Sequence, residues 1–248
     1  MFNPDTRYKR TFTVSSFDVD AKKQASLQSV ARYMQEMATQ HAINMKLGFD
    51  DMIRENRAWV LAQMLIRIDR FPRFMDDFSI TTWSNGPDGR FALRDFIIED
   101  AAGEKIGGAS TTWFVIDIDE KKICRLDGYF PGYDYTHIEF ALGRKPDRVK
   151  VDPSANDEEH TRVRFSELDI NGHMNNVRYL DYIIDMIPNN FRMQNNLIEI
   201  EMNFLKESKL DQRLRAGIVQ GHHDKEFLHY IFNEDEGRTS FSARSVWH

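Results

Sequence analysis

Cysteine is almost absent from this sequence: Cys124 stands alone among 248 residues. No internal disulfide is possible and no paired-cysteine zinc spacing exists, so a reducing compartment is the simplest setting. No apolar run approaches the roughly 18–20 residues that span a bilayer. The stretch from Met1 to Arg10 is polar, without the apolar core of a signal peptide. These absences predict a cytoplasmic protein with no membrane span. Positive charge is not in excess either. The 33 basic side chains are outnumbered by 39 acidic ones, for a net charge of −6. Nucleic-acid binding needs a basic face for the phosphates, so no nucleic-acid partner is expected. A metal set is lacking as well: His222, His223 and Asp224 sit together in a hairpin-turn pattern, but no further ligand spacing supports them.

What is present describes a folded chain. Apolar residues make up 41% and charged residues 29%, which suits a globular protein rather than a disordered one. The length fits one large domain or two of ordinary size.

The pattern repeats. Ser16-Phe17-Asp18-Val19-Asp20 leads into a helical stripe at Leu27, Val30, Met34, Met37, Ala38 and His41, with Ser26 as a plausible N-cap. Glu167-Leu168-Asp169-Ile170-Asn171 leads into a second stripe at Val177, Leu180, Ile183, Ile184 and Ile187, stopped by Pro188. Strand-like segments follow each stripe. The first set is 59–68, 77–83, 91–98 and 109–118; the second is 197–205, 213–220, 226–232 and 239–247. Asn85-Gly86 and Asp88-Gly89 read as turns. Ala109-Ser110-Thr111-Thr112-Trp113 is matched by Ser242 to Trp247 near the C-terminus. Each half is thus a lead strand, one long helix and an antiparallel sheet. Residues 1–130 form the first half and 161–248 the second. Residues 131–160, holding Pro131, Gly132, Pro146, Pro153 and the acidic Asp157, Glu158 and Glu159, read as a linker.

Chemistry concentrates in one run, Leu168-Asp169-Ile170-Asn171-Gly172-His173-Met174-Asn175-Asn176. It places a carboxylate, an amide and an imidazole at i, i+2 and i+4, just before a helix whose first N–H groups are free to polarise an oxygen. Such a set can activate a water and orient a carbonyl without a metal. Helix capping would need one of these groups, not three. The first half has Asp18, Asp20 and Lys22 in the corresponding region and no His. It is expected to be the non-catalytic partner. Ser110 lacks the glycine pattern of a nucleophilic serine and reads as part of a strand, and Cys124 reads as an inert, partly buried thiol.

The run from Leu168 to Tyr179 resembles the active-site motif of the acyl-ACP thioesterases of bacteria and plants. Two further stretches support the likeness: Phe204-Leu205-Lys206-Glu207-Ser208, and Arg57 to Trp83 with its tryptophans and Phe71-Pro72-Arg73. The resemblance implies an α+β tandem (double) hotdog, two antiparallel sheets each wrapped around a long helix. It implies hydrolysis of the fatty acyl thioester of acyl carrier protein, without a cofactor or a metal. Asp169, Asn171 and His173 would be catalytic, with Glu207 as a further acidic member. Whether Asp169 or Glu207 is the base stays open. The first half would shape the acyl pocket, with Met34, Met37, His41 and Trp59 as lining candidates, and Asn175 and Asn176 would lie near the substrate. Arg178, Lys206 and Lys209 could meet an acidic carrier.

This sequence departs from the pattern at Ser208, where many members carry Cys. A thiol nucleophile is thereby removed, and direct attack by water is the scheme the chain supports. An acyl-CoA thioesterase on the same fold is the nearest alternative. A hotdog dehydratase fits the Asp-x-Asn-x-His order less well, and intact Asp169, Asn171 and His173 argue against a non-enzymatic acyl-binding module. The two halves are expected to pack as one body. Oligomeric state is left open, with room for a homodimer, and so is acyl chain length.

Overall fold

The computed structural model describes residues 7–126, 139–153 and 157–248. Two compact units emerge, Met1–Pro146 and Asp147–His248.

In the first unit, β1 (Tyr8–Thr13) is followed by α1 (Leu27–Asn44), α2 (Phe49–Arg54), β2 (Arg57–Ile68), β3 (Asp77–Asp88), β4 (Phe91–Asp100) and β5 (Lys105–Asp117). The strands are antiparallel and run side by side in the order β1-β3-β4-β5-β2. In the second unit, β6 (Asp157–Arg162) is followed by α3 (Asn176–Asp185), α4 (Asn189–Gln194), β7 (Leu197–Phe204), β8 (Arg213–Gln220), β9 (Glu226–Asn233) and β10 (Arg238–Trp247). Their order is β6-β8-β9-β10-β7. Each strand of one unit therefore has a counterpart at the same place in the other, as a duplicated sequence requires. The match extends to side chains. Trp113 Nε1 donates to Thr111 Oγ1 and Trp247 Nε1 to Ser245 Oγ, both at 2.9 Å.

Helix α1 starts where Ser26 Oγ accepts the Ser29 N–H. Its apolar stripe is buried: Val30, Met34, Met37, Ala38 and His41 are at most 7% exposed. Burying each methionine contributes about 1.5–3 kcal/mol. Helix α3 is shorter and is capped by Asn175, whose Oδ1 accepts the Val177 N–H at 2.9 Å. Its Val177, Leu180 and Ile183 are buried, and Pro188 follows two residues after its last turn gives way.

Asn85-Gly86 is not a turn. It lies inside β3, where the pairing with β4 slips between Ser84 and Gly86. Gly86 has φ 74°, a conformation that glycine adopts freely, so the pair makes a bulge and the strand continues to Asp88. Asp88-Gly89 does turn the chain, with Gly89 at φ 64°.

The stretch read as a linker, 131–160, lies partly outside the described residues. Its described parts are bound to the units. In the first, buried Asp95 accepts from Ser110 Oγ at 2.5 Å, from Asn85 Nδ2 at 2.6 Å and from the Ala141 N–H at 2.9 Å. Burial pushes the Asp95 carboxyl up to about 6 against these three donors. In the second, Glu201 and Asn203 accept the N–H groups of Asp147 and Val149 at 2.6 and 2.7 Å. The acidic cluster is strand rather than connector from Asp157 on, because Glu158 is held by Arg215 and by the Tyr230 hydroxyl.

Candidate active site

The run from Leu168 to Asn175 is a tight turn between a short 3-10 segment (Phe165–Glu167) and α3. The Asp169 N–H donates to the His173 carbonyl at 2.8 Å and the Gly172 N–H to the Asp169 carbonyl at 3.0 Å. Gly172 sits at φ 74°, which closes the turn. Asp169 Oδ1 accepts the N–H of Asn171 at 2.8 Å and of His173 at 3.3 Å. Its carboxylate is thus held by the backbone N–H groups two and four residues further on.

Glu207 comes from the chain just beyond β7. An isolated β-bridge brings it to the turn: His173 pairs with Lys209, and beside it the Met174 N–H donates to the Ser208 carbonyl at 2.8 Å. His173 Nε2 then lies 3.9 Å from Glu207 Oε1, and both side chains are 32% exposed. That separation is too long for a direct hydrogen bond, and the two form an ion pair only when the imidazole carries a second proton. Lys206 Nζ is also 3.9 Å from Glu207 Oε1. The turn and the strand exit therefore place Asp169, Asn171, His173 and Glu207 in one unit, with Asn171 exposed and the other three half-buried.

The same turn is built in the first unit. The Asp20 N–H donates to the Gln24 carbonyl at 2.9 Å, and Asp20 Oδ1 accepts the N–H groups of Lys22 at 2.8 Å and Gln24 at 3.4 Å. Lys23, at φ 61°, occupies the place of Gly172. The Ser26 N–H donates to the Asp18 carbonyl and the Asn175 N–H to the Glu167 carbonyl, both at 2.8 Å. Tyr33 reaches back to Asp18 at 2.7 Å as Tyr182 does to Glu167 at 2.6 Å. The Ala25 N–H donates to the Pro72 carbonyl as that of Met174 does to Ser208. By this superposition of hydrogen bonds Asp20 matches Asp169, Lys22 matches Asn171, Gln24 matches His173 and Phe71 matches Glu207. The carboxylate of the turn is common to both units. Asn171, the imidazole and the second carboxylate belong to the second alone; the first has Lys22, the Gln24 amide and Phe71 at those places.

The remaining sequence-derived candidates fall in several places. Asn175 is the cap of α3 and Asn176 its first residue, so the Asn175 side chain has a structural duty. Lys209 is exposed beside His173, whereas Arg178 is paired with Asp181 at 3.0 Å. Met34, Met37 and His41 belong to the first unit, on the buried face of α1. Arg94 donates to His41 Nδ1 at 2.7 Å, which leaves the ring proton on Nε2. Trp59 Nε1 donates to the Leu47 carbonyl at 3.0 Å. Ser110 lies in β5 and is buried against Asp95; Cys124 packs beside Met52, Ala92 and Val115. Among the described residues no group of three or more His, Cys, Asp or Glu is arranged to hold a metal, and no helix is long and apolar enough to cross a membrane.

Ser208 is fully buried, and its Oγ accepts the Tyr179 hydroxyl at 3.1 Å. Sequence reasoning gave Tyr179 no role. Its helix and the end of β7 are far apart along the chain, so no spacing links them.

Comparison with known proteins first defines the class. The structure superposes on an acyl-ACP thioesterase from Bacteroides thetaiotaomicron with a TM-score of 0.87 over 98% of both chains, at 24% identity. It superposes on the 12:0-ACP thioesterase from Umbellularia californica with a TM-score of 0.85 over 98% of this chain and 97% of that one, at 19% identity. The fold is therefore the tandem hotdog, as expected from the sequence. Family models for the acyl-ACP thioesterase N-terminal domain (residues 5–130) and C-terminal domain (residues 133–248) match nearly the whole chain. The chain belongs to the acyl-ACP thioesterase family. Among its relatives is oleoyl-acyl carrier protein thioesterase 2, chloroplastic, of Arabidopsis thaliana, 27% identical over 97% of this chain and 76% of the relative. Membership of this family makes the chain a thioester hydrolase.

Proposed function

We propose that the chain hydrolyses the fatty acyl thioester of acyl carrier protein, and that the chemistry belongs to Asn171, His173 and Glu207 in its second unit. One observation carries this reading. The two units build the same turn from the same hydrogen bonds, so the scaffold itself does not require an amide, an imidazole or a second carboxylate at these places. Where the first unit has Lys22, Gln24 and Phe71, the second has groups that can orient a carbonyl, move a proton and hold a water.

In this scheme Glu207 takes a proton from a water as its oxygen attacks the acyl carbon. The Asn171 side-chain amide takes the developing oxyanion. His173 shares the water and steadies the charge on Glu207. The C–S bond then breaks, and the proton held by Glu207 passes to the departing thiolate, giving a free fatty acid and the carrier's thiol. Asp169 is a positioning residue: its oxygen holds the backbone that sets Asn171 and His173. Ser208 is not the nucleophile, since its hydroxyl accepts from Tyr179 and no base is bonded to it.

Met34, Met37, His41 and Trp59 are proposed to border the acyl chain, and Lys206, Lys209 and Arg178 to meet the carrier. A single cysteine suits the cytoplasm, the location proposed here. The test is the rate of hydrolysis of acyl-ACPs of several chain lengths, beside the matching acyl-CoAs. The expected result is faster turnover of the carrier-linked series. Equal or faster hydrolysis of acyl-CoA would transfer the enzyme to the CoA-linked class.

A further inference from the structure

Tyr179 and Ser208 form a buried polar pair that the catalytic scheme leaves unused. Tyr179 is 2% exposed and Ser208 0%. The tyrosine ring lies among apolar neighbours, its centroid 5.9 Å from that of Phe204 and 5.1 Å from that of Phe241. Its hydroxyl donates to Ser208 Oγ at 3.1 Å. The Ser208 backbone N–H and the Ser240 hydroxyl also face the tyrosine oxygen. A buried polar group of this kind needs its partners, because none can turn to water.

The first unit shows what the scaffold does without the pair. There the fourth residue after the helix cap is Val30 instead of Tyr179, and Pro72 stands in place of Ser208. Proline has no N–H to satisfy and its ring fixes its own backbone. Valine offers no hydroxyl, and none is needed. The Ala25 N–H still reaches the Pro72 carbonyl at 2.8 Å. The turn, the ladder and the helix start therefore form without a tyrosine or a serine. The two polar residues occur where the neighbouring position is Glu207, not where it is the buried Phe71.

Replacing Phe-Pro by Glu-Ser has two local consequences. A buried ring that pinned the strand exit becomes a carboxylate 32% exposed. A backbone locked by proline becomes one that can rotate and that carries an N–H. The tyrosine hydroxyl answers both, since it engages the hydroxyl and the amide of the residue next to Glu207. That residue is also the one whose carbonyl receives the Met174 N–H, next to His173.

We infer that Tyr179 is a positioning residue for catalysis: through Ser208 it fixes the strand exit and so sets Glu207 against His173. The inference rests on the assignment of Glu207 and His173 above. It makes Ser208 an anchor, which explains why a serine serves where a thiol nucleophile is missing.

The experiment compares kcat and KM for Tyr179→Phe, Ser208→Ala and the double variant, each in the wild-type and the Glu207→Gln background. It uses whichever acyl thioester, carrier-linked or CoA-linked, the wild-type chain hydrolyses, so that failure of the carrier-protein reading leaves the test intact. The expected result is a fall in kcat of about threefold to tenfold for each single variant with KM within about twofold, as for a modest loss of alignment. The double variant should be no worse than the poorer single one. In the Glu207→Gln background the same changes should alter the residual rate by less than about twofold. Ser208→Ala provides the same test should Tyr179→Phe fold poorly. Wild-type kcat in both single variants, or an undiminished loss in the Glu207→Gln background, would overturn the inference.

Discussion

At the residue scale the two turns act as each other's control. Asp20 and Asp169 make the same pair of bonds to backbone N–H groups, so the shared aspartate belongs to the scaffold, and the function proposed above gives the chemistry to the residues the units do not share. This separates two roles that the sequence left together. If Asp169 acts as an acceptor for the turn, an asparagine can replace it, because an amide oxygen accepts the same N–H groups less strongly. Asp169→Ala should then lower kcat by tenfold or more, on the order of a lost positioning group, and Asp169→Asn by much less. Asp20→Ala should lower the melting temperature while leaving kcat within about threefold, because nothing catalytic hangs on that turn. The four quantities come from steady-state kinetics and thermal melts. A loss in Asp169→Asn as deep as in Asp169→Ala would mean that the carboxylate itself takes part in the reaction.

At the scale of the element, β9 buries a histidine. His229 is fully buried, with Nε2 bonded to Ser245 Oγ at 2.8 Å and Nδ1 without a hydrogen-bond partner among the described residues. Burial pushes its pKa down to about 3. The unfolded chain, with an ordinary histidine near 6.5, binds the proton more readily. Stability is therefore present at neutral pH and is lost as pH falls below about 6.5, toward 3, reaching about 2 kcal/mol by pH 5. Asp95 in β4 works the other way. Its carboxyl is raised to about 6, so its share is fully present below the unfolded value near 3.8 and is lost as pH rises through 6. Denaturant melts of wild type and His229→Leu at pH 7 and pH 5 separate the two. The variant should lose less stability on acidification than the wild type; an equal loss would show that His229 does not control the acid limb.

Elements were legible from sequence in proportion to their periodicity. The stripe beginning at Leu27 and its Ser26 cap are seen as read, and β8 runs from Arg213 to Gln220 as expected. Helices α2 and α4, of six residues each, are too short for a period to register. Strand β6 begins inside the stretch that reads as a linker, because Asp157, Glu158 and Glu159 look like a solvated charge run. The partner of Glu158, Arg215, lies on another strand and is supplied by the fold. The site followed the same rule. Asp169, Asn171 and His173 were legible as a local run, and Glu207 through a resemblance. Tyr179 and Ser208 were not, since only the packing of α3 under the end of β7 brings them together.

At the scale of the whole molecule, one architecture is written twice and differs at a few positions that matter. The shared order of strands and the repeated turn describe a duplication whose copies differ where Lys22, Gln24 and Phe71 stand against Asn171, His173 and Glu207. The central claim is that the second copy alone performs hydrolysis. The most direct measurement is kcat on acyl-ACP for the matched variants His173→Ala and Gln24→Ala, with folding checked by thermal melts. The account predicts a loss of about a hundredfold or more for His173→Ala, in the range of a positioned acid–base group, and a change within about twofold for Gln24→Ala. Folded His173→Ala protein turning over at the wild-type rate, or an equal loss in Gln24→Ala, would contradict it.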